Sequence, residues 1–521
     1  MNTYYEVFPA EEWLYPDSAG GEQKILLQCP KNSYACSQIL LHTAKADISF
    51  EIFADSADKL SAPHFFEILP VTVNKNSCFS EELDTERTSL EDMKKYYTKT
   101  APFEVYDALK PSDGRIICRG KTTAVYIKWH IPESLNSGIY SGKVILKNAD
   151  ESIAIPYEIF VAKATVPESK KFRMINWIVP NPKHYRFEPF SERHWEVLKK
   201  INTLAAEAHQ THVSVNASFF TCVPNGKNTV FSFEYADRYI KLGFELGLKY
   251  IEGPNLKEIW LELGENASEK NFGDSICTEF LGGFLEQWYG YLQSNKLTDV
   301  TVQHIFDEPR DKNVHIYKML GKLVKEKMPD VKTIDAVLTT NLDSLPDILI
   351  PTTRFYQLRA DYFNKAVQSG RDLWLYTCCW PSAPYLNRFL DMPLLSVRYI
   401  HWLCYALNVS AYLHWGFCFQ ADCQDAFTEP SIPFKIFDDS LEQYLPPGDT
   451  NIIYVADGEP LGSVRLEMQR AGIEDFELLS QLDRETAMSI VNCCIRADFT
   501  ADTSVALFKE LRQRLLFNFE K

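Results

Sequence analysis

The chain has 521 residues, 45% apolar and 24% charged, a balance that excludes disorder and a length that calls for several domains or one large barrel with attachments. Its 70 acidic against 54 basic side chains leave a net charge of -16, which opposes the phosphate attraction behind nucleic-acid binding and disfavours DNA, RNA and anionic membranes as partners. The 13 cysteines include no CxxC spacing, so neither a zinc ribbon nor a thioredoxin-type pair is supported.

The opening "MNTYYEVFPAEEWLYPDSAGG" has no basic n-region and no continuous apolar stretch, and no later run approaches the ~20 residues of a bilayer span. The expected compartment is the cytoplasm, with thiols reduced. Cys378-Cys379 and Cys493-Cys494 are neighbours whose bridging would strain the backbone. Residues 1–168 read as β: "QKILLQC", "DISFEIFA", "HFFEILPVTV", "TTAVYIKWHI", "GKVILKN" and "IAIPYEIFVAKATV" are short β-branched and aromatic runs between turns. Strands at this spacing without helices predict an accessory β-sandwich.

From residue 169 to 521 the period changes. "FRMINWIV" precedes the helical "SERHWEVLKKINTLAAEA", "THVSVNAS" precedes "FEYADRYIKLGFEL", and "VTVQHIFDEP" precedes "VHIYKMLGKLVKEKM". About eight such strands over ~250 residues predict a (β/α)8 barrel. The fifth and sixth units are the least regular, which leaves a doubly wound open sheet as the structural alternative. The strand in "NIIYVADG" and the helices after it are expected to finish the barrel.

Asp307 and Glu308 stand at the carboxyl end of the fourth barrel strand, the end at which barrel chemistry gathers. Pro309 removes a donor and helps break the ladder, so both carboxylates can turn toward one pocket. The competing reading is capping of the helix that starts near Asn313, for which Asp311 is better placed. Two adjacent carboxylates resist simultaneous ionisation, which keeps one protonated as a general acid. Ordinary retaining glycosidases hold their carboxyls about 5–5.5 Å apart across the scissile bond, and neighbours on one strand end cannot do that. They suit a substrate whose own 2-acetamido carbonyl is the nucleophile.

The segments "HIFDEP", "WLYTCCWPSAPYLNRFLDMPLLSVRYIHWLCYAL", "AYLHWGF" and "GSVRLEMQRAGIEDFELLSQL" resemble the catalytic domain of glycoside hydrolase family 123, from about Phe172 to Leu482. The upstream sandwich is similar to that family's accessory domain. The resemblance implies a (β/α)8 barrel and a retaining, substrate-assisted β-N-acetylgalactosaminidase acting on a glycan or glycoconjugate without metal or organic cofactor. It also implies that Asp307 orients the acetamido group and that Glu308 is the general acid/base. Trp380 departs from the family pattern, in which a small residue follows the cysteine pair; it stands as a stacking platform or a narrowing of the pocket. The tail motif with Ser463, Arg465, Arg470, Gly472, Glu474 and Asp475 is assigned to packing of the last helix.

Asn176, Asn216, Glu252, Tyr376, Asn387 and Trp415 lie at strand ends or in the recognisable segments and are the remaining candidates for sugar contacts. For each, core packing or an ordinary polar rim is the competing reading. Trp177 and His414 border the same mouth. His304 is expected to be a core histidine or a partner of a carboxylate, and His209 and His212 lack a third metal ligand. Neither GxGxxG, GxxxxGK[ST] nor GxSxG occurs, so nucleotide and serine-hydrolase chemistries lose support. Two functional alternatives stay open: a catalytically silent carbohydrate-binding barrel, and a glycosidase using Glu252 as an ordinary nucleophile on a sugar without an acetamido group.

Overall fold

The computed structural model describes residues 3–44, 47–56, 60–77, 93–225, 228–433 and 444–520. The N-terminal region is β-rich, built from β1 (Tyr4–Pro9), β2 (Ile25–Lys31), β3 (Ser33–His42), β4 (Ile48–Ser56), β5 (His64–Val73), β6 (Phe103–Pro111), β7 (Arg115–Cys118), β8 (Thr122–Ile131), β9 (Gly138–Lys147) and β10 (Ser152–Thr165). They form two sheets, one ordered β1-β3-β8-β5-β6 and the other β2-β10-β9-β4-β7. Alternation decides the faces: in β10, Ile155, Tyr157, Ile159 and Val161 point inward while the residues between them are more exposed. These side chains meet Ile39, Ile127 and Trp129 of the facing sheet in one apolar core.

The α/β region follows. Its strands are β11 (Arg173–Asn176), β12 (His212–Ser214), the hairpin β13 (Thr221–Asn225) and β14 (Asn228–Ser232), β15 (Tyr250–Gly253), β16 (Thr301–His304), β17 (Lys332–Val337), β18 (Ile348–Pro351), β19 (Asp372–Leu373), β20 (Leu375–Tyr376) and β21 (Ala411–His414). Six of them run in the parallel order β12-β15-β16-β17-β18-β19, and three in the order β11-β21-β20. The Trp374 amide, between β19 and β20, bonds to the Leu349 carbonyl, and Thr211 just before β12 bonds to Met174 of β11.

Helices cover these sheets: α1 (Glu192–Glu207), α2 (Glu234–Glu245), α3 (Leu256–Leu263), α4 (Ser275–Ser294), α5 (Val314–Lys327), α6 (Thr353–Leu358), α7 (Ala360–Gln368) and α8 (Leu395–Ala406). Ser191 caps α1 by accepting the His194 amide, as its polar entry predicts. The irregularity expected in the fifth and sixth units has a simple cause. The link from β17 to β18 contains no helix, because "TTNLDSLP" is short, carries a proline and has no apolar period.

The C-terminal strands depart from expectation. β22 (Tyr454–Ala456) and β23 (Glu459–Ser463) extend the N-terminal sheet, with Gly462 and Ser463 opposite Leu109 and Ala108 of β6. They do not finish the parallel sheet. Helix α9 (Val464–Leu479) is buried along its whole length, wedged between β6 and α8. A Cβ at Gly472 would stand 2.5 Å from His401 Nδ1 and 2.7 Å from the Arg398 carbonyl, so only glycine permits this approach. Two shorter helices, α10 (Arg484–Val491) and α11 (Val505–Phe517), close the chain. No helix among the described residues is long and apolar enough to cross a membrane.

Candidate active site

Strand β16 ends at His304, and the chain then turns sharply through the acid pair. Asp307 and Glu308 adopt φ of 76° and 50°, a left-handed conformation at two successive residues with side chains. Single positions of this kind cost roughly 1–2 kcal/mol and need support from their surroundings. Support comes from β17. Asp335, 1% exposed, accepts the Phe306 amide at 2.9 Å and the Asp307 amide at 2.8 Å. The Glu308 amide bonds to the Ala336 carbonyl at 3.0 Å. Three consecutive amides therefore aim at one neighbouring strand, a geometry that regular β pairing cannot supply.

The pair does not cap the following helix. Asn313 is the N-cap residue of α5 and its side chain accepts the Arg310 amide at 2.7 Å. Asp311 accepts the Thr339 hydroxyl at 2.5 Å. Tyr376, at the end of β20, donates its hydroxyl to Glu308 Oε1 at 2.5 Å, and the Arg310 guanidinium stands 4.0 Å from Glu308 Oε2.

Electrostatics set the two acids against each other. Burial and the adjacent Glu308 carboxylate push Asp307 well above the usual carboxylate range; His304 opposes the rise, and Asp335 and Glu258 add to it. Burial works to lower the His304 imidazole, but Asp335, 3.1 Å from Nε2, and Glu252, 3.8 Å from Nδ1, outweigh it and carry the ring to about 10. His304 is thus an imidazolium at neutral pH. Burial and Glu308 hold the Tyr376 hydroxyl well above its ordinary range, so it remains a donor. His304, Asp307 and Asp335 bring one ligand atom each within 4.8 Å of one another, but Asp335 already spends both oxygens on amides and His304. This is a closed ion pair rather than an open set of metal ligands.

The other predicted residues divide into two groups. Trp177 and Trp415 are half-buried and share an apolar cluster with Tyr376, Trp374 and Trp380 around the strand ends. Trp380 itself is 4% exposed, so in this conformation it is packed wall rather than open platform. Glu252 accepts the Trp177 indole N–H at 3.0 Å and the Ser214 hydroxyl at 2.6 Å. With Asn216, Glu258 and His304 it lines a cleft beside the acid pair.

Asn176 and Asn387 are fully buried and engaged. Asn176 bonds to Gln210 and accepts from Arg388. Asn387 donates to the Cys378 and Pro381 carbonyls and accepts the Thr377 hydroxyl. Both serve the frame beneath the mouth instead of facing it. Tyr376, by contrast, stands at the mouth with its hydroxyl on Glu308.

Sequence reasoning missed Asp335 and Arg388. Asp335 was visible as a lone acid inside the apolar "TIDAVL", where a charge needs a buried partner. Arg388 binds Asn176, His414 and the Gly416 carbonyl from within the core.

Two acids, with a tyrosine on one of them and tryptophans in the neighbouring apolar cluster, thus stand together at the carboxyl ends of parallel strands. Residues 181–482 match the family model described as glycoside hydrolase 123, catalytic domain. The chain belongs to glycoside hydrolase family 123. Its structure is similar along its whole length to a family 123 glycoside hydrolase from Clostridium perfringens, studied for glycolipid glycan hydrolysis, with a TM-score of 0.75, 14% identity and coverage of 100% of this chain and 98% of that one. A family 39 glycoside hydrolase from Bacteroides cellulosilyticus aligns with a TM-score of 0.38, 8% identity and coverage of 87% and 82%. No curated protein sequence matches.

Proposed function

We propose that this glycosidase removes terminal β-linked N-acetylhexosamine, N-acetylgalactosamine first among candidates, with retention through substrate assistance, and that its parallel strands close as a (β/α)8 barrel. The observation that supports this reading is the left-handed turn at Asp307 and Glu308, a departure from the β ladder that lets adjacent acids converge, with Tyr376 on Glu308.

Two neighbouring carboxyls in a half-buried site favour sharing one proton. An acetamido N–H bonding to Asp307 stabilises its ionised form and leaves the proton to Glu308. The acetamido oxygen then attacks the anomeric carbon as Glu308 gives its proton to the departing glycosidic oxygen. The products of this step are an oxazolinium ion and a free alcohol. Water, deprotonated by Glu308, opens the oxazolinium ring and returns the enzyme to its starting state. Every step runs on residues of the chain and needs no cofactor. An ordinary nucleophile at Glu252 finds less support, since that carboxylate is 2% exposed and bonded to Trp177 and Ser214.

Chromogenic β-GalNAc, β-GlcNAc and β-galactosides, each with and without a GalNAc-thiazoline, test the proposal. Cleavage of the acetamido sugars, blocked by thiazoline, is the expected result. Thiazoline-insensitive cleavage of the galactoside points to a carboxylate nucleophile, and no turnover of any substrate points to a binding protein.

A further inference from the structure

The acid pair reaches its working position only because something holds an unfavourable turn, and that holder lies outside the pair. Beyond His304 the chain leaves the β ladder, yet the amides of Phe306, Asp307 and Glu308 all point to β17. A backbone neighbour offers carbonyls on alternate residues only, so at least one of three successive amides needs a side-chain acceptor. Asp335 supplies two acceptors from one carboxylate, an anion seated in a concavity of converging N–H groups. The same carboxylate holds His304 at 3.1 Å, and His304 in turn faces Glu252 at 3.8 Å. His304 is thus surrounded by Glu252 of β15, Asp335 of β17, Asp307 of its own turn and the nearby Glu258 of α3. It is the cation among four acids.

We propose that Asp335 and His304 are positioning residues for catalysis: Asp335 fixes the left-handed turn that presents both acids, and His304, held against Asp335 beside Asp307, lowers the cost of ionising Asp307 when that carboxyl grips the substrate amide. This rests on the reading of Asp307 and Glu308 as the catalytic pair. Neither positioning residue needs to touch the sugar. Burial makes the arrangement expensive unless both charges are present, because removal of either leaves the other desolvated and uncompensated.

Two variants separate positioning from general structural support. Asp335→Asn retains one acceptor but turns an amide N–H₂ toward a backbone N–H and toward His304. Its kcat is expected to fall at least about 100-fold, with KM changed less than about threefold. His304→Gln removes the cation beside Asp307 and leaves Asp335 in place. Asp307 then ionises less readily, so the acidic limb of the kcat/KM profile is expected to move to higher pH, a change that mere loosening of the fold does not produce. Histidine ¹⁵N NMR of the intact protein, assigned by the resonance missing in His304→Gln, gives a readout independent of turnover. One imidazole should remain protonated at pH 8 in the parent and titrate below that in Asp335→Asn.

A parent spectrum with His304 neutral at pH 7, or an Asp335→Asn enzyme with unchanged kcat, overturns the proposal. If Asp335→Asn fails to fold, the pH limb of His304→Gln decides, and an unmoved limb overturns it. Asp307→Asn, assayed beside them, tells the two readings apart. Full activity in Asp307→Asn defeats the catalytic assignment itself, whereas loss there with normal Asp335→Asn defeats only the positioning role.

Discussion

Tyr376 donates to Glu308 from a buried position at the end of β20, and this bond helps fix how Glu308 is presented. A hydrogen bond to a charged or charge-sharing group contributes about 1.5–3 kcal/mol. Tyr376→Phe is therefore expected to lower kcat about 10- to 100-fold while the melting temperature changes little, measured by steady-state kinetics beside thermal unfolding. An unchanged kcat would show that the contact is incidental to turnover. At this scale the acid pair was legible in the sequence because a proline follows two acids at the end of an apolar run, a combination that packing does not require. Asn176 and Asn387 were not legible as frame residues. Their composition matched a sugar-binding rim, and only the buried Arg388, which demands acceptors on every side, and the backbone carbonyls of the loop after β20 explain why they turn inward.

Among the elements, α9 shows how a motif can be plain in sequence while its purpose is hidden. The arginines and acids of "SVRLEMQRAGIEDFELL" reach outward from a helix buried on every side. Arg465 binds Asp107 of β6 at 2.8 Å with both side chains fully buried. Arg470 joins Glu467 and Glu474, Glu467 takes Lys128 of β8, and Glu474 accepts the Ser33 hydroxyl of β3 at 2.5 Å. Arg398 of α8 and Arg512 of α11 converge on Asp475. Packing of the last helix, the role its sequence suggested, is only part of this; the motif fastens the N-terminal sheets to the α/β region.

Removing one partner of a buried pair leaves an uncompensated charge and costs about 3–5 kcal/mol. Asp107→Asn should lose that much in urea unfolding, though it lies outside the acid pair, and a loss below about 1 kcal/mol would contradict the fastening role. The strands themselves were readable from apolar runs and turn residues. β22 and β23 were misassigned because pairing partners far apart in sequence leave no local signal, and β6 lies some 350 residues upstream of β23.

Across the whole molecule, a β-rich region and a parallel α/β region are joined by largely buried charge pairs, of which Arg465–Asp107 is fully enclosed, and the acid pair sits where the parallel strand β16 ends. That layout followed from composition and period, since a change from strand-only runs to alternating strand and helix is a global property of the chain. The dependence of the site on its frame did not follow, because it rests on a carboxylate from the neighbouring strand meeting amides of a turn about thirty residues earlier.

The central claim is a division of labour between two adjacent acids, and a leaving-group series tests it most directly. Rates of Asp307→Asn and Glu308→Gln are to be measured on aryl β-N-acetylgalactosaminides whose phenols range from strongly to weakly acidic. In kcat/KM, which reports the step that releases the phenol, Glu308→Gln should keep much of its activity with the most acidic phenol and fall by about 10²–10⁴ as the phenol weakens, since only poor leaving groups need the proton. Asp307→Asn should be impaired by a similar factor throughout. Near-normal rates in Asp307→Asn, or a Glu308→Gln defect that ignores the leaving group, would contradict the account.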